Sequence, residues 1–415
     1  MSQQNEQEFI KVRVEKTASL RQKGIDPYPT NYKRTHTSQQ AEKAFEAAEK
    51  EDDEFNETIK VAGRIMGRRG MGKASFIDLS DADGRIQVMM RSNVLNEDYE
   101  ILDDLDIGDW IGAEGTLFRT RTGQITLQVA TFSILCKSLR PLPEKWHGLT
   151  DVETRFRQRY LDLISNADAI KTAKDRSLLV STIRQFMSEK GFIEVETPML
   201  VPIAAGGMAH PFTTHHNALN RDLFLRIATE LHLKRLIVGG IEKVFEIGRV
   251  FRNEGVDLQH NPEFTTMESY EAFSDYNDVM DMVEQLVSTA ATTLNGSETV
   301  KYGEEELQFS PPWPRIDLRE KIIEVSGIDF FEHPELESLK TAMKEAGIDV
   351  SQQVSWSGLL DKLISDKVEP TLVQPCFLVN YPVAMSPLAK KSPTDDRIAE
   401  RFEGFVCGME ICNAF

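Results

Sequence analysis

Residues 244–255 read VFEIGRVFRNEG, and residues 265–273 read TTMESYEAF. Both stretches alternate as β-strands do, and the turn-forming loop GVDLQHNPEF joins them. Because successive side chains of a strand point to opposite faces, Arg252 and Glu254 share one face, and so do Glu268 and Tyr270. The two stretches therefore predict an antiparallel strand pair that presents these four side chains together.

The charged face of this strand pair suits neither a core nor an open surface. Burying unpaired ions would cost several kcal/mol each. A fully solvated face would not explain the aromatic and β-branched residues beside it. The pattern favours a binding cleft, and a structural ion-pair network is the alternative.

A second pair of acidic residues lies in residues 401–415, RFEGFVCGMEICNAF. A hairpin turn around Val406 to Gly408 places Glu403 and Glu410 on one face of two adjacent strands. Two carboxylates suit Mg²⁺, which takes its remaining ligands from phosphate and water. Two glutamates facing solvent on a sheet are the alternative.

Two segments that precede the strand pair also have patterns that predict helices and strands. Residues 166–190 predict a helix with an apolar face that ends at Gly191, and the strand FIEVETPML, ended by Pro198, follows it. This helix and strand could be core or a dimer seam. The segment LFLRIATELHLKRLIVGG predicts a strand, a turn and a helix containing Glu230. A glutamate near a helix start is either a partner of the helix dipole or a functional residue.

The remainder of the chain predicts a multi-domain protein. Residues 56–140 contain five strand-like runs, and turn-forming residues typical of β-hairpins separate some of them. This pattern is typical of a small oligonucleotide-binding (OB-fold) β-barrel. Residues 1–55 predict a solvated helical extension with a charged connector, and residues 141–160 predict a proline-containing linker. Residues 161–415 predict a larger α+β domain.

The barrel region concentrates positive charge and aromatic surface. Arg64, Arg68 and Arg69 lie close together in a chain that is acidic overall. Pairing across the Asp83-Gly84 turn places Phe76 and Gln87 on one face, which suits stacking of single-stranded bases. Phe76 as ordinary barrel core is the alternative.

Composition limits the classes of protein that the chain can be. The 415 residues carry a formal net charge of −18, which argues against indiscriminate binding to nucleic acid or anionic membrane. The four cysteines have no spacing typical of zinc or disulfides, and neither a signal core nor a membrane-length apolar run is present. We therefore expect a cytoplasmic protein with reduced thiols.

Eight segments in a fixed order resemble the class II aminoacyl-tRNA synthetases, and specifically the lysyl-tRNA synthetases of the bacterial and eukaryotic type. The resemblance covers nearly the whole chain. It rests on the segments GKASFIDLSDADGRIQ, RFRQRYLDLI, GFIEVETPML, PFTTHHNALN, LRIATELHLKRL, VFEIGRVFRNEG with HNPEFTTMESY, YPVAMSPLAKK and GMEICNAF. It implies a central antiparallel sheet in the α+β domain, an anticodon-binding barrel and a homodimer.

The resemblance also implies a reaction and a role for each site residue. Lysine would be activated with ATP to lysyl-adenylate and then transferred to tRNA. Arg252 would bridge the amino-acid carboxylate and the α-phosphate, Glu254 would contact the adenine amino group, and Phe264 would stack on adenine. His260 and Asn261 would lie in the loop over the nucleotide, and Glu403 and Glu410 would hold Mg²⁺. The lysine pocket would be lined by Gly206, Glu230, Glu268, Tyr270, Asn413 and Phe415.

The predicted cleft also indicates which amino acid it takes. Glu230, Glu268 and Tyr270 have few nearby cations other than Arg252, which favours a substrate with an extra positive charge over an acidic one. The attacking carboxylate is already an anion, so alignment and neutralisation of phosphate charge carry most of the catalysis.

Three departures from the family pattern accompany the resemblance. The family continues past the position of Phe415 into a third signature, so we expect a chain truncated within its catalytic domain. Gln259 stands at a usually basic position and Cys412 at a usual glycine. The alternative function is therefore a non-catalytic chain that binds tRNA or forms dimers.

Overall fold

The computed structural model describes residues 3–143, 149–207, 209–257, 260–351 and 353–415. Gln259 lies outside these described residues. Internal contacts divide the chain into two compact units, Met1–Ile170 and Lys171–Phe415. Among the helices that the structure describes, none is both long and apolar enough to cross a membrane.

The first unit contains a closed five-stranded barrel, as the sequence predicts. Its strands run in the spatial order β1-β2-β3-β5-β4. They are β1 (Ile59–Met71), β2 (Ala74–Ser80), β3 (Arg85–Arg91), β4 (Trp110–Arg119) and β5 (Ile125–Cys136). On β2 the inward side chains alternate with half-buried ones, so the barrel interior is filled by aliphatic residues such as Ile77 and Leu79.

The helices of this unit are α1 (Gln3–Gln22), α2 (Ser38–Lys50), α3 (Ser92–Leu95), α4 (Val152–Arg157) and α5 (Arg159–Ser165). A capping box at Thr37 starts α2. Ala41 and Phe45, one turn apart on α2, join the barrel core together with Leu20 of α1. The prediction of a solvated helix is therefore wrong for this face, because the i, i+4 pair buries itself against the barrel.

The second unit is an α+β structure with several small sheets. Its helices are α6 (Ala167–Glu189), α7 (Glu230–Val238), α8 (Tyr276–Asn295), α9 (Leu318–Ser326), α10 (Leu336–Glu345) and α11 (Trp356–Leu363). Its strands are β6 (Ile193–Glu194), β7 (Leu200–Val201), β8 (Thr213–His216), β9 (Arg221–Leu225), β10 (Lys243–Phe251), β11 (Glu263–Glu271), β12 (Thr299–Tyr302), β13 (Glu305–Gln308), β14 (Arg315–Asp317), β15 (Cys376–Val379), β16 (Phe402–Val406) and β17 (Met409–Ala414).

Antiparallel pairing dominates these sheets. The orders are β11-β10-β6, β14-β15-β16-β17, β7-β9-β8 and β12-β13. Only two pairs among the described strands are parallel in this unit, β10 with β6 and β14 with β15. The antiparallel character of the α+β domain is thus confirmed, although the predicted central sheet is divided into separate short sheets.

The segment after α6 differs from the predicted strand. The helix itself is confirmed: α6 buries Phe186 and Met187 and is followed by Gly191 at φ +86°. The expected strand FIEVETPML is reduced to the two-residue strands β6 and β7. The two short strands pair with different partners, β6 with β10 and β7 with β9, and Pro198, where the sequence predicts the end of the strand, lies between them.

Candidate active site and nucleic-acid interface

The face shared by β10 and β11 forms the base of the candidate active site. The register pairs Glu246 with Glu268, Gly248 with Thr266 and Val250 with Phe264. Tyr270 lies on the same face, opposite Val244. The predicted sharing of one face by Glu268 and Tyr270 is therefore confirmed. Burial, with the charges of Glu230 and Glu268, raises the pKa of Tyr270 well above its ordinary value, so it stays a neutral donor.

Arg252 lies just beyond this strand pair. Strand β10 ends at Phe251, so the expectation that Arg252 and Glu254 lie on the strand is wrong. The Arg252 N–H still donates to the Pro262 carbonyl at 2.9 Å, which extends the pairing by one residue. The Arg252 guanidinium carbon lies 5.4 Å from the centroid of the Phe264 ring. Arg252 and Phe264 are thus brought together, with Arg252 exposed at the surface.

The loop after Arg252 carries three more predicted site residues. Glu254, His260 and Asn261 are all exposed there. The His260 backbone N–H donates to the Asp257 carboxylate at 2.8 Å, and its ring Nδ1 lies 2.9 Å from the same group. Asp257 therefore holds the His260 end of the loop.

Four of the predicted lysine-binding residues meet at the start of α7. We call Gly206, Glu230, Tyr270 and Phe415 the acidic-aromatic pocket. A Cβ on Gly206 would lie 3.3 Å from the Glu230 Cβ and 2.8 Å from the Ala228 Cβ, so a side chain there would collide with the pocket wall. Gly206 also has φ +94°, which favours glycine. Glu268 lies beside this pocket and accepts the Thr229 N–H at 3.1 Å.

A lysine of the protein itself reaches into the acidic-aromatic pocket. The Lys234 ammonium lies 2.5 Å from a Glu230 carboxylate oxygen. It is also 5.8 Å from the Tyr270 ring centroid and 5.3 Å from that of Phe415. The expectation of few nearby cations other than Arg252 is therefore wrong. Lys234 follows Glu230 by four residues on α7, so the two side chains lie on the same face of the helix. This spacing is visible in the sequence.

Glu403 and Glu410 lie on the neighbouring strands β16 and β17, whose turn at Cys407-Gly408 has positive φ at both residues. Glu403 accepts hydrogen bonds from the Tyr381 hydroxyl at 2.6 Å and the Asn413 amide at 3.0 Å, and it pairs with Arg401. Partial loss of hydration and repulsion by Glu403 raise the pKa of Glu410 to about 7, although part of its surface is open to solvent. The two carboxylates thus lie close enough to repel each other.

Asn413 and Cys412 lie on β17 beside this pair. Asn413 binds Glu403 and, at 3.3 Å, accepts a hydrogen bond from Arg401, so the structure places it with the glutamates. Cys412 packs beside Gly404, where an added Cβ would lie 2.5 Å from the sulfur. Burial raises the pKa of the Cys412 thiol to about 12, so this cysteine is a neutral packing residue.

A buried ion pair beneath the site was missed by the sequence reasoning. Arg226 is 1% exposed and Glu246 is 4% exposed, and their side chains pair at 2.6 Å. The Thr197 hydroxyl donates to Glu246 at 2.6 Å. A Cβ on Gly248 would lie 2.3 Å from the Arg226 Nη2, so only glycine leaves room for this guanidinium. The sequence signal was Glu246 on the face of the strand that otherwise carries the site.

The barrel presents Phe76 on its outer surface. Phe76 is half-buried and pairs with Arg69 on β1 and Met89 on β3, whereas its neighbours Ser75 and Ile77 point inward. Phe76 as barrel core is therefore wrong. Arg69 is exposed and lies 3.2 Å from Asp78. This outer face combines an aromatic ring with an accessible guanidinium, as a base-stacking surface requires.

Three other residues predicted on this surface are engaged within the protein. Arg64 donates to the Gly108 carbonyl at 2.8 Å and lies over the Trp110 ring. Arg68 donates to the Leu102 carbonyl. Gln87 is buried and accepts the Thr126 hydroxyl at 3.0 Å. These contacts stabilise the barrel, which leaves Arg69 and Phe76 as the accessible members.

Comparison with known proteins matches both units of the chain. Residues 151–415 match the family tRNA synthetases class II (D, K and N), and residues 59–141 match an OB-fold nucleic acid binding domain. A lysine–tRNA ligase of Dehalococcoides mccartyi is 54% identical over 97% of this chain and 81% of its own length. The chain belongs to the lysine–tRNA ligase family of class II tRNA synthetases.

Two further relatives support the same family over almost the whole chain. A lysine–tRNA ligase of Carboxydothermus hydrogenoformans is 48% identical over 100% of this chain and 84% of its own length. One of Bacillus subtilis is 46% identical over 98% of this chain and 82% of its own length. The class II tRNA synthetase match includes the acidic-aromatic pocket, Arg252 and the glutamate pair, and the OB-fold match includes Phe76.

Proposed function

We propose that this protein is a lysine–tRNA ligase that activates lysine with ATP and transfers it to tRNA. The observation that carries the proposal is the acidic-aromatic pocket, in which Glu230 and Tyr270 surround an ammonium group. A pocket of this chemistry favours an amino acid with an additional positive charge over neutral or acidic ones. The near-complete match to lysine–tRNA ligases supports the same substrate.

Arg252 and Phe264 would bind ATP and align the first reaction step. The exposed guanidinium of Arg252 has several donors in a fork, which suits one oxygen of the amino-acid carboxylate and one of the α-phosphate. Phe264 beside it offers a ring face on which adenine can stack. The substrate carboxylate attacks the α-phosphorus and pyrophosphate leaves, so the protein supplies alignment and charge neutralisation and no general base. Glu254, His260 and Asn261 would close over the nucleotide.

Glu403 and Glu410 fit a magnesium ion. Two carboxylates that repel each other would be relieved by a divalent cation, and carboxylate oxygens are ligands that Mg²⁺ prefers. When bound, Mg²⁺ would neutralise charge on the phosphates of ATP. Arg401 and Tyr381 hold Glu403 in a defined orientation, and Asn413 on β17 also donates to it.

The amino-acid requirement of pyrophosphate exchange tests the proposed function. The purified protein is incubated with ATP and labelled pyrophosphate, with each amino acid added in turn. We expect exchange that depends on lysine and is absent with aspartate, asparagine or no amino acid. A folded protein that binds tRNA and gives no lysine-dependent exchange would instead be a non-catalytic tRNA-binding or dimer-forming chain.

The barrel would bind tRNA through the outer face that carries Phe76 and Arg69. We expect Phe76→Ala to weaken tRNA binding by about 1 to 3 kcal/mol, because a stacked base would lose its ring partner. The measurement is a titration of labelled tRNA at fixed salt. Phe118→Ala is the matched control, since Phe118 is also half-buried but lies on β4, which does not pair with β2. Equal losses for the two variants would contradict base stacking on Phe76.

A cytoplasmic homodimer is the proposed working form. Phe156 and Tyr160 are more than half exposed in this chain, although aromatic side chains of this size are usually covered. A second subunit would cover these side chains. The sedimentation coefficient of the purified protein tests whether it is a dimer. A sedimentation coefficient of a monomer at micromolar concentration would contradict the dimer.

A further inference from the structure

The acidic-aromatic pocket already contains an ammonium group, that of Lys234. Its nitrogen lies 2.5 Å from Glu230 and within 6 Å of the ring centroids of Tyr270 and Phe415. Carboxylate and aromatic faces are the groups that would bind an ammonium of substrate lysine. The protein therefore supplies, from its own helix, the chemical group that its proposed substrate would bring.

This contact differs from an ordinary ion pair along a helix. In an ordinary i, i+4 pair both side chains are solvated, and the pair contributes little. Here Glu230 is 6% exposed, and rings from β11 and from the residue after β17 lie on the same ammonium. Lys362 and Asp366 form a pair of the ordinary kind, at 2.8 Å with both side chains partly exposed.

The Lys234 side chain can also leave the pocket. It is 40% exposed, and its stem is a flexible chain of four carbons. The ion pair and the two ring contacts are the contacts of its ammonium among the described residues. A substrate ammonium that replaced it would restore the same contacts, so the exchange requires no unpaired buried charge.

We propose that Lys234 is a placeholder in the acidic-aromatic pocket: its ammonium neutralises Glu230 when the pocket lacks amino acid, and substrate lysine displaces it. Lys234 is thereby a specificity-determining residue of the proposed reaction, on which this inference rests. In the absence of amino acid, the Lys234 ammonium keeps the Glu230 carboxylate paired. Because it competes with the substrate ammonium for this carboxylate, it lowers the apparent affinity of the protein for lysine.

Substitution of Lys234 tests the competition. We expect Lys234→Met to bind L-lysine roughly 3- to 30-fold more tightly by calorimetry, because the competing ion pair and ring contacts are removed. We expect Lys234→Arg, which keeps the charge, to show no such gain. Lys362→Met is the matched control and should leave the affinity unchanged. A weaker or unchanged affinity in Lys234→Met would overturn the proposal.

Chemical labelling of the unaltered protein tests the displacement itself. Lys234 is acetylated with an amine-reactive ester, and the rate is read by peptide mass spectrometry with and without saturating L-lysine. Free L-lysine also consumes the ester, so the readout is the ratio of acetylation at Lys234 to that at Lys362. We expect this ratio to rise with L-lysine, and an unchanged or lower ratio would mean that the Lys234 ammonium stays in place.

The two proposals fail in different ways. Lysine binding that is normal in the unaltered protein and unchanged in Lys234→Met overturns the placeholder alone. Lysine binding that appears only in Lys234→Met supports the placeholder, even if pyrophosphate exchange is silent. Absence of lysine binding in both proteins overturns the placeholder and the proposed substrate together.

Discussion

Replacing Arg252 by alanine is expected to lower lysine-dependent pyrophosphate exchange by about 100-fold to 1000-fold, measured as kcat/KM. The guanidinium is exposed beside Phe264, one residue after the end of β10, whose partner strand β11 carries Glu268. Its loss would remove the donors that align the carboxylate with the α-phosphate. Arg252→Lys is expected to recover little, because an ammonium cannot fork to two oxygens.

An arginine on β10, shortly before Arg252, provides the control. Arg249 is three residues earlier, faces the opposite side and lies 3.6 Å from Glu263 in a solvated pair. We expect Arg249→Ala to change kcat/KM less than threefold or so. We also expect Arg252→Ala to leave tRNA binding nearly intact, because the proposed tRNA surface belongs to the barrel. Unchanged exchange in Arg252→Ala would exclude the proposed role.

Breaking the buried pair of Arg226 and Glu246 is expected to give the largest loss of stability. Arg226→Met would leave the Glu246 carboxylate buried with only the Thr197 hydroxyl as its side-chain donor. Removing one partner of a buried pair costs about 3 to 5 kcal/mol of unfolding free energy. For a unit of this size the melting temperature should fall by about 6 to 20 °C, measured by scanning calorimetry.

Two further variants separate the buried pair from general effects of substitution. Arg184 and Glu194 form a partly exposed pair at 2.8 Å. We expect Arg184→Met to cost about 1 kcal/mol or less. The double variant Arg226→Met/Glu246→Met should regain most of the lost stability, because it leaves no unpaired buried charge. Equal losses in Arg226→Met and Arg184→Met would contradict the special cost of the buried pair.

Local patterns account for much of the fold. Period-two alternation with turn residues predicted all five barrel strands, and it placed Glu268 and Tyr270 on one face of β11. The helical period and Gly191 predicted α6. These features depend on residues that are close in sequence, so their physics is visible without the fold. The strand after α6 is shorter than predicted, because its two ends pair with different strands, β10 and β9.

Patterns were less informative about the surroundings of each side chain. Arg64, Arg68 and Arg69 look alike in the sequence, yet the first two bind backbone carbonyls of Gly108 and Leu102. Arg69 alone of the three stays mainly exposed. Which arginine remains accessible depends on carbonyl groups more than 30 residues away, and periodicity carries no information about such contacts.

The sequence by itself determined the family, the barrel and the alternating faces, and it predicted the residues that a lysine-activating site would use. The tertiary structure alone decided that Arg226 pairs with Glu246 under the site and that the Lys234 ammonium lies within 6 Å of the ring centroids of both Tyr270 and Phe415. The physical reason is distance along the chain. The alternation of polar and apolar residues along a strand predicts the face on which each side chain lies. Burial and ion pairing depend on which other segment of the chain packs against that face.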